Sequence, residues 1–225
     1  MKLHAKQLLG GLALTLAVAL PASATQINFT GGTATLLDNS TAVTNSATTI
    51  GNVKYYEESG YRAENFGGGG YVGNYYNTGN DVLHSHWSSG DFGTVTMIKV
   101  TKLDGTAFDL NYFVLTSNTD TGGGAASGNE RAFIHASSDG VNASYSFMLP
   151  VENWGLPATQ IFLGSQFDNI KAFWFTVENA VDCFGMDNFF INEEAPGGNV
   201  PEPATLGLLA LGLAGLGLRR RQRAR

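Results

Sequence analysis

The sequence predicts an all-β fold, a single two-sheet antiparallel β-sandwich occupying residues 25–194 of the 225-residue chain. Three observations predict it. Short runs rich in Val, Ile, Thr, Tyr and Phe alternate with clusters of Gly, Asn, Ser and Thr. No long segment carries the 3.6-residue period of an amphipathic helix. Asp104-Gly105 and Asp139-Gly140 fall between strand-like runs, where an Asp-Gly pair supplies the positive φ of a tight hairpin turn.

In chain order, the first element is an address rather than part of the fold. Lys2 and Lys6 make a positive start, Leu8 to Leu20 an apolar run, and Pro21-Ala-Ser-Ala24 offers the small residues that a signal peptidase needs. The run is shorter than the ~20 residues that cross hydrocarbon. Residues 1–24 are therefore expected to form a signal helix, cut after Ala24.

Ten strands are expected next: Thr25–Thr30, Thr33–Leu37, Ile50–Tyr56, Thr94–Lys102, Ala107–Ser117, Arg131–Ala136, Ala143–Leu149, Ile161–Leu163, Ile170–Val177 and Phe184–Asn192. Their number and spacing suit a sandwich of jelly-roll type. Thr94–Thr101 alternates in part with the two-residue period, and the aromatics of Lys171–Val177 suit a buried central strand.

The charge of this middle portion excludes one class of partner. It holds Lys54, Arg62, Lys99, Lys102, Arg131 and Lys171 against 18 of the chain's 19 acids, a balance near −12. Such a surface repels phosphate backbones, so nucleic acid is excluded. Cys183 is the only cysteine, so no intrachain disulfide is available, and its position between Val181 and Phe184 suits a small buried hydrophobe.

Two glycine-rich stretches stand out, Asn65–Tyr76 and Asp120–Glu130. Neither is a phosphate loop, because neither has the lysine and following helix that such a loop needs; both read as flexible surface loops. Tyr71, Tyr75, Tyr76 and Trp87 lie among Asn and Gly and offer flat apolar faces with polar tips that could stack on sugar rings; sandwich edge and core is the competing reading. His84-Ser-His86 places two imidazoles on one face of a strand, able to bind a transition metal if His135 or a carboxylate joins them. No nucleophile elbow, zincin motif or carboxylate pair in an obvious context is present, so no catalytic residue is assigned.

After a linker at 195–200 the chain closes with three parts in order. Pro201-Glu202-Pro203 is held extended by its prolines, Ala204 to Leu218 is apolar, and Arg219, Arg220 and Arg221 begin a basic tail ending at Arg225. This order resembles the PEP-CTERM sorting signal. The resemblance implies an exosortase that cuts near Pro201, Glu202 and Pro203. It also implies a transmembrane helix at 204–218 whose arginines stay cytoplasmic before processing, and delivery to the surface of a Gram-negative cell that makes exopolysaccharide and biofilm.

Phe108-Asp-Leu110, Asp139-Gly140 and Phe184-Gly-Met-Asp-Asn-Phe-Phe-Ile191 are similar in order to exported sandwich modules, among them galactose-binding-like jelly rolls. That resemblance implies a structural Ca2+ held in part by Asp187. The expected function is a non-enzymatic surface or matrix protein. A Ca2+-dependent carbohydrate-binding module would instead gather aromatics on one face, and a secreted hydrolase would set two acids across a cleft.

Overall fold

The computed structural model describes residues 24–75, 81–90, 93–155 and 158–193. The expected signal helix and the expected transmembrane helix at 204–218 lie outside the described residues. Among those described, no helix is long and apolar enough to cross a membrane.

Fourteen strands form: β1 (Thr25–Ile27), β2 (Thr33–Leu36), β3 (Thr41–Val43), β4 (Thr49–Glu58), β5 (Tyr61–Phe66), β6 (Gly70–Gly73) and β7 (Val82–His86) come first. Then follow β8 (Met97–Lys102), β9 (Leu110–Thr119), β10 (Arg131–Ser137), β11 (Tyr145–Met148), β12 (Thr159–Phe162), β13 (Ala172–Asn179) and β14 (Cys183–Ile191). All named pairings are antiparallel and run in the order β11-β10-β13-β8-β5-β4-β6-β7-β14-β9-β12, with β1 on β14, β2 on β4 and β3 on β2.

One curled sheet becomes two facing layers because its apolar residues can be buried only by folding it over. β13 and β14 are separated by five strands in the hydrogen-bonding order, yet Phe173 and Phe175 of β13 touch Phe189 of β14 with ring centroids 5.2 and 6.3 Å apart. Phe113 of β9 joins them from the second layer, 5.4 Å from Phe175. Ile98, Val100, Ile134, Phe184 and Met186 complete this dry interior. The sandwich expected from the sequence is thus present.

Gly105 and Gly140 take the expected positive φ, 70° and 82°, but only Asp139-Gly140 lies in a hairpin, between β10 and β11; Asp104-Gly105 joins β8 to β9, which do not pair with each other. Asp139 Oδ1 accepts the amides of Val141 and Asn142, so it shapes the hairpin.

Three strands, β3, β5 and β6, were not expected, and β7 was expected only as the strand around His84-Ser-His86; β6 lies within the stretch Asn65–Tyr76 read as loop, and β5 runs into its start. The glycines there are packing residues. A Cβ on Gly68 would overlap the Thr94 side chain, and one on Gly69 would lie 2.7 Å from Asn52 Cα, so the chain can pass only where side chains are missing. Asp120–Glu130 is likewise pinned: the buried Glu130 carboxylate accepts the amides of Asp120, Ser127 and Gly128. Burial works to raise this carboxyl, but those amides hold it below its ordinary range.

Candidate functional site

Side chains alternate across a strand, so on β7 Leu83 and Ser85 face inward while His84 and His86 face the other way. The register sets their neighbours: His86 stands opposite Cys183 of β14, His84 opposite Gly185 of β14, and on the other flank opposite Tyr71 of β6. Two imidazoles, one thiol and one phenol therefore share a face. Cys183 Sγ lies 3.3 Å from His86 Nδ1, and Tyr75 Oη lies 2.9 Å from His86 Nε2.

The group is roofed by aromatic rings. Tyr75 stacks on His84 at 4.3 Å, and Trp154 meets the same imidazole edge-on at 4.9 Å. Trp154 is brought there because its amide bonds to Gly124 O and the next amide, of Gly155, bonds to Thr116 O on β9. Beside the group, Asp182 is buried, with Oδ1 3.7 Å from His86 Nδ1 and Oδ2 3.7 Å from Cys183 Sγ.

Burial dominates the electrostatics. It pushes His84 well below the ordinary histidine value, helped by the neighbouring His86. It pushes the Cys183 thiol up to about 12, with the Asp182 carboxylate adding to the effect. Tyr75 rises to about 12 for the same first reason, followed by Cys183. Among the described residues, His84, His86 and Cys183 are the one grouping of at least three His, Cys, Asp or Glu whose ligand atoms could share an ion, all lying within 4.8 Å of one another.

A second surface lies on the outer side of the other layer. Cross-strand partners point the same way, so the register aligns His135 of β10, Trp174 of β13, Lys99 of β8, Glu64 of β5 and Tyr55 of β4 in one row. All five are half-buried. The His135 ring lies nearly parallel to Trp174 at 5.6 Å, Phe133 extends the stack, Lys99 Nζ sits over Trp174, and the Arg62 guanidinium lies 4.1 Å from the Tyr55 centroid.

These placements sort the residues singled out from sequence. Tyr71 and Tyr75 come together at the histidine cluster, their rings 5.0 Å apart. Tyr76 lies outside the described residues. Trp87 is a correction: at 1% exposure it packs edge-on against Phe184 in the core, because its strand neighbours turn it inward, and it has no face left for a sugar. His135 does not join His84 and His86; its ring nitrogens bond Ser146 and Thr176 on the other layer. Cys183 takes the place expected of His135, buried as expected but with its sulfur at an imidazole.

Asp187 is 5% exposed and accepts the amide of Asn188, and no cluster of acids gathers around it among the described residues. Ala24, where the leader is expected to be cut, is exposed and directly precedes β1. Pro201, Glu202, Pro203 and the arginines Arg219, Arg220 and Arg221 lie outside the described residues.

Residues 199–221 match the PEP-CTERM protein-sorting motif. The chain therefore carries the signal that marks an exported protein for exosortase processing. No curated protein matches it. Among solved structures it is similar to a family 29 carbohydrate binding module from Piromyces equi, at 10% identity and a TM-score of 0.41, over 79% of this chain and 97% of that one. It is also similar to the cleaved adhesin domain of Lys-gingipain from Porphyromonas gingivalis, at 14% identity and a TM-score of 0.33, over 78% of this chain and all of that one. At these scores neither carries a ligand over to this chain.

Proposed function

We propose that this exosortase-processed protein is a non-catalytic surface or matrix component whose sandwich contacts extracellular polysaccharide and so takes part in a biofilm. The observation that carries the reading is the row on the outer face of the first layer. Trp174 and His135 offer near-parallel ring faces, while Lys99, Glu64, Arg62 and Thr176 stand beside them as donors and acceptors. An apolar plate edged by hydrogen-bonding groups suits the apolar face and equatorial hydroxyls of a pyranose. The net charge near −12 of the domain favours neutral chains over polyanionic ones.

Affinity electrophoresis of the full-length protein through the host's exopolysaccharide, and through neutral glucans, tests this. The wild type is expected to be retarded, and Trp174→Ala to weaken binding about tenfold, the size of one lost stacking contact. Absence of retardation in every polysaccharide, or unchanged retardation of the variant, overturns the reading. Loss of binding on chelation would assign the contact to a Ca2+-dependent module with Asp187 as a ligand. Release of reducing ends would replace it with a hydrolase.

A further inference from the structure

We infer that His84, His86 and Cys183 form a binding site for a thiophilic transition-metal ion, Zn2+ or Cu+. This site is on the opposite layer from the Trp174 row and stands whether or not that row binds glycan.

The donor set selects the ion class. Two imidazoles and a thiolate are soft to borderline ligands, which suit zinc and copper, whereas Ca2+ takes hard oxygen donors. The geometry is close to what such an ion imposes. Zn–N and Zn–S bonds of ~2.0 and ~2.3 Å at tetrahedral angles put ligand atoms roughly 3.3–3.6 Å apart. Cys183 Sγ and His86 Nδ1 already stand 3.3 Å apart, and the full set lies within 4.8 Å, so closing it asks His84 to move by about an ångström.

The site is built from rigid parts. His84 and His86 are fixed two apart on β7, and Cys183 is fixed across from His86 by the β7–β14 ladder. Tyr75 holds His86 by its other nitrogen, Nε2, which leaves Nδ1 facing the sulfur.

A second observation points the same way. The Asp182 side chain is 3% exposed, and its Oδ1 accepts no hydrogen bond; no lysine or arginine lies within ion-pair distance of it among the described residues, and the His86 imidazole stands 3.7 Å away. A buried carboxylate oxygen in that state is costly, and a cation seated beside His86 and Cys183 would balance it.

Two rival roles for Cys183 fit less well. As the only cysteine it has no partner for a disulfide within the chain. As a nucleophile beside His86 it would need access to a substrate, whereas it is fully buried. A metal ion is the partner that a buried thiol grouped with two histidines can serve.

The full-length protein, reduced and freed of metal by chelation, is titrated with Co2+ and followed by absorbance. The expected result is one ion per chain, with a thiolate-to-cobalt charge-transfer band and the visible bands of tetrahedral cobalt. Cys183→Ser is expected to lose the charge-transfer band, and His86→Gln to weaken binding at least tenfold. Displacement of Co2+ by Zn2+ identifies zinc as the ion; resistance to Zn2+ with displacement by Cu+ identifies copper; Ca2+ is expected to displace nothing. Because the buried variants can fail to fold, the wild type decides. A wild-type protein with an intact β circular-dichroism spectrum that shows no charge-transfer band, and that takes up neither Zn2+ nor Cu+ against a chromophoric chelator, overturns the inference.

Discussion

His135 has both ring nitrogens engaged, Nδ1 with Ser146 Oγ at 2.6 Å and Nε2 with Thr176 Oγ1 at 2.7 Å, and burial lowers its pKa although Glu178 opposes the shift. His84 is lowered further, by burial and then by His86. The folded chain thus holds these protons less tightly than the unfolded one. Their contribution to stability is complete above the ordinary histidine value of ~6.5 and is lost as the pH falls through it towards the folded values. Urea midpoints are expected to drop between about pH 7.5 and about pH 5, and to drop less in His135→Asn; equal midpoints in the wild type would contradict the assignment. Asparagine has a separate role at this scale. Asn39, Asn52, Asn169, Asn188 and Asn192 all take positive φ, which asparagine tolerates better than most side chains, and this accounts for part of the Asn richness that reads from sequence only as loop.

The strands differ in how plainly their sequences announce them. β8, β10, β13 and β14 are visible as β-rich runs bounded by turn residues, and all four form near their expected bounds. β5 is hidden because its inward positions are Tyr61, Ala63 and Asn65, a set too mixed in polarity to show the period of two. β6 is hidden by the glycines in it and just before it, of which Gly68 and Gly69 let Thr94 and Asn52 approach; Gly69→Ala is expected to lower the urea midpoint, and an unchanged midpoint would mean that Asn52 yields freely. β13 misleads in another way. A run of consecutive aromatics reads as buried on both faces, yet Phe173 and Phe175 face the core while Trp174 lies on the outer face. The histidine pair was legible as a motif, but its third partner was not, since Cys183 lies 97 residues beyond His86 and reaches it only through the β7–β14 register. The two layers meet at Phe189, which touches Phe29, Phe113, Phe173 and Phe175. Phe189→Ala is expected to cost about 3–5 kcal/mol by denaturant unfolding, as truncation of a fully buried ring does.

For the whole molecule, the chain divides into a folded body and a sorting tail that is read by an enzyme rather than by the fold. The tail was legible because its three parts are chemically distinct and contiguous; the body's ligand was not, because both candidate surfaces are assembled from strands far apart in sequence. Replacing Pro201, Glu202 and Pro203 by alanine is expected to leave the full-length form in the membrane fraction of an exosortase-bearing host, where the wild type is shortened. Immunoblots showing equal shortening would place the processing signal elsewhere. The position of the tail's point of departure has a mechanical meaning. Thr25 pairs with Ile191, so the sandwich is entered and left on adjoining strands, and β14, which leads into the tail, is gripped along its length by β9 on one side and by β7 and then β1 on the other. Tension drawn through a tether at Ile191 would load both ladders lengthwise, so that many bonds must slip together instead of peeling apart one by one. A pull on the tail would thus be shared between two ladders at once rather than borne by a lone edge strand.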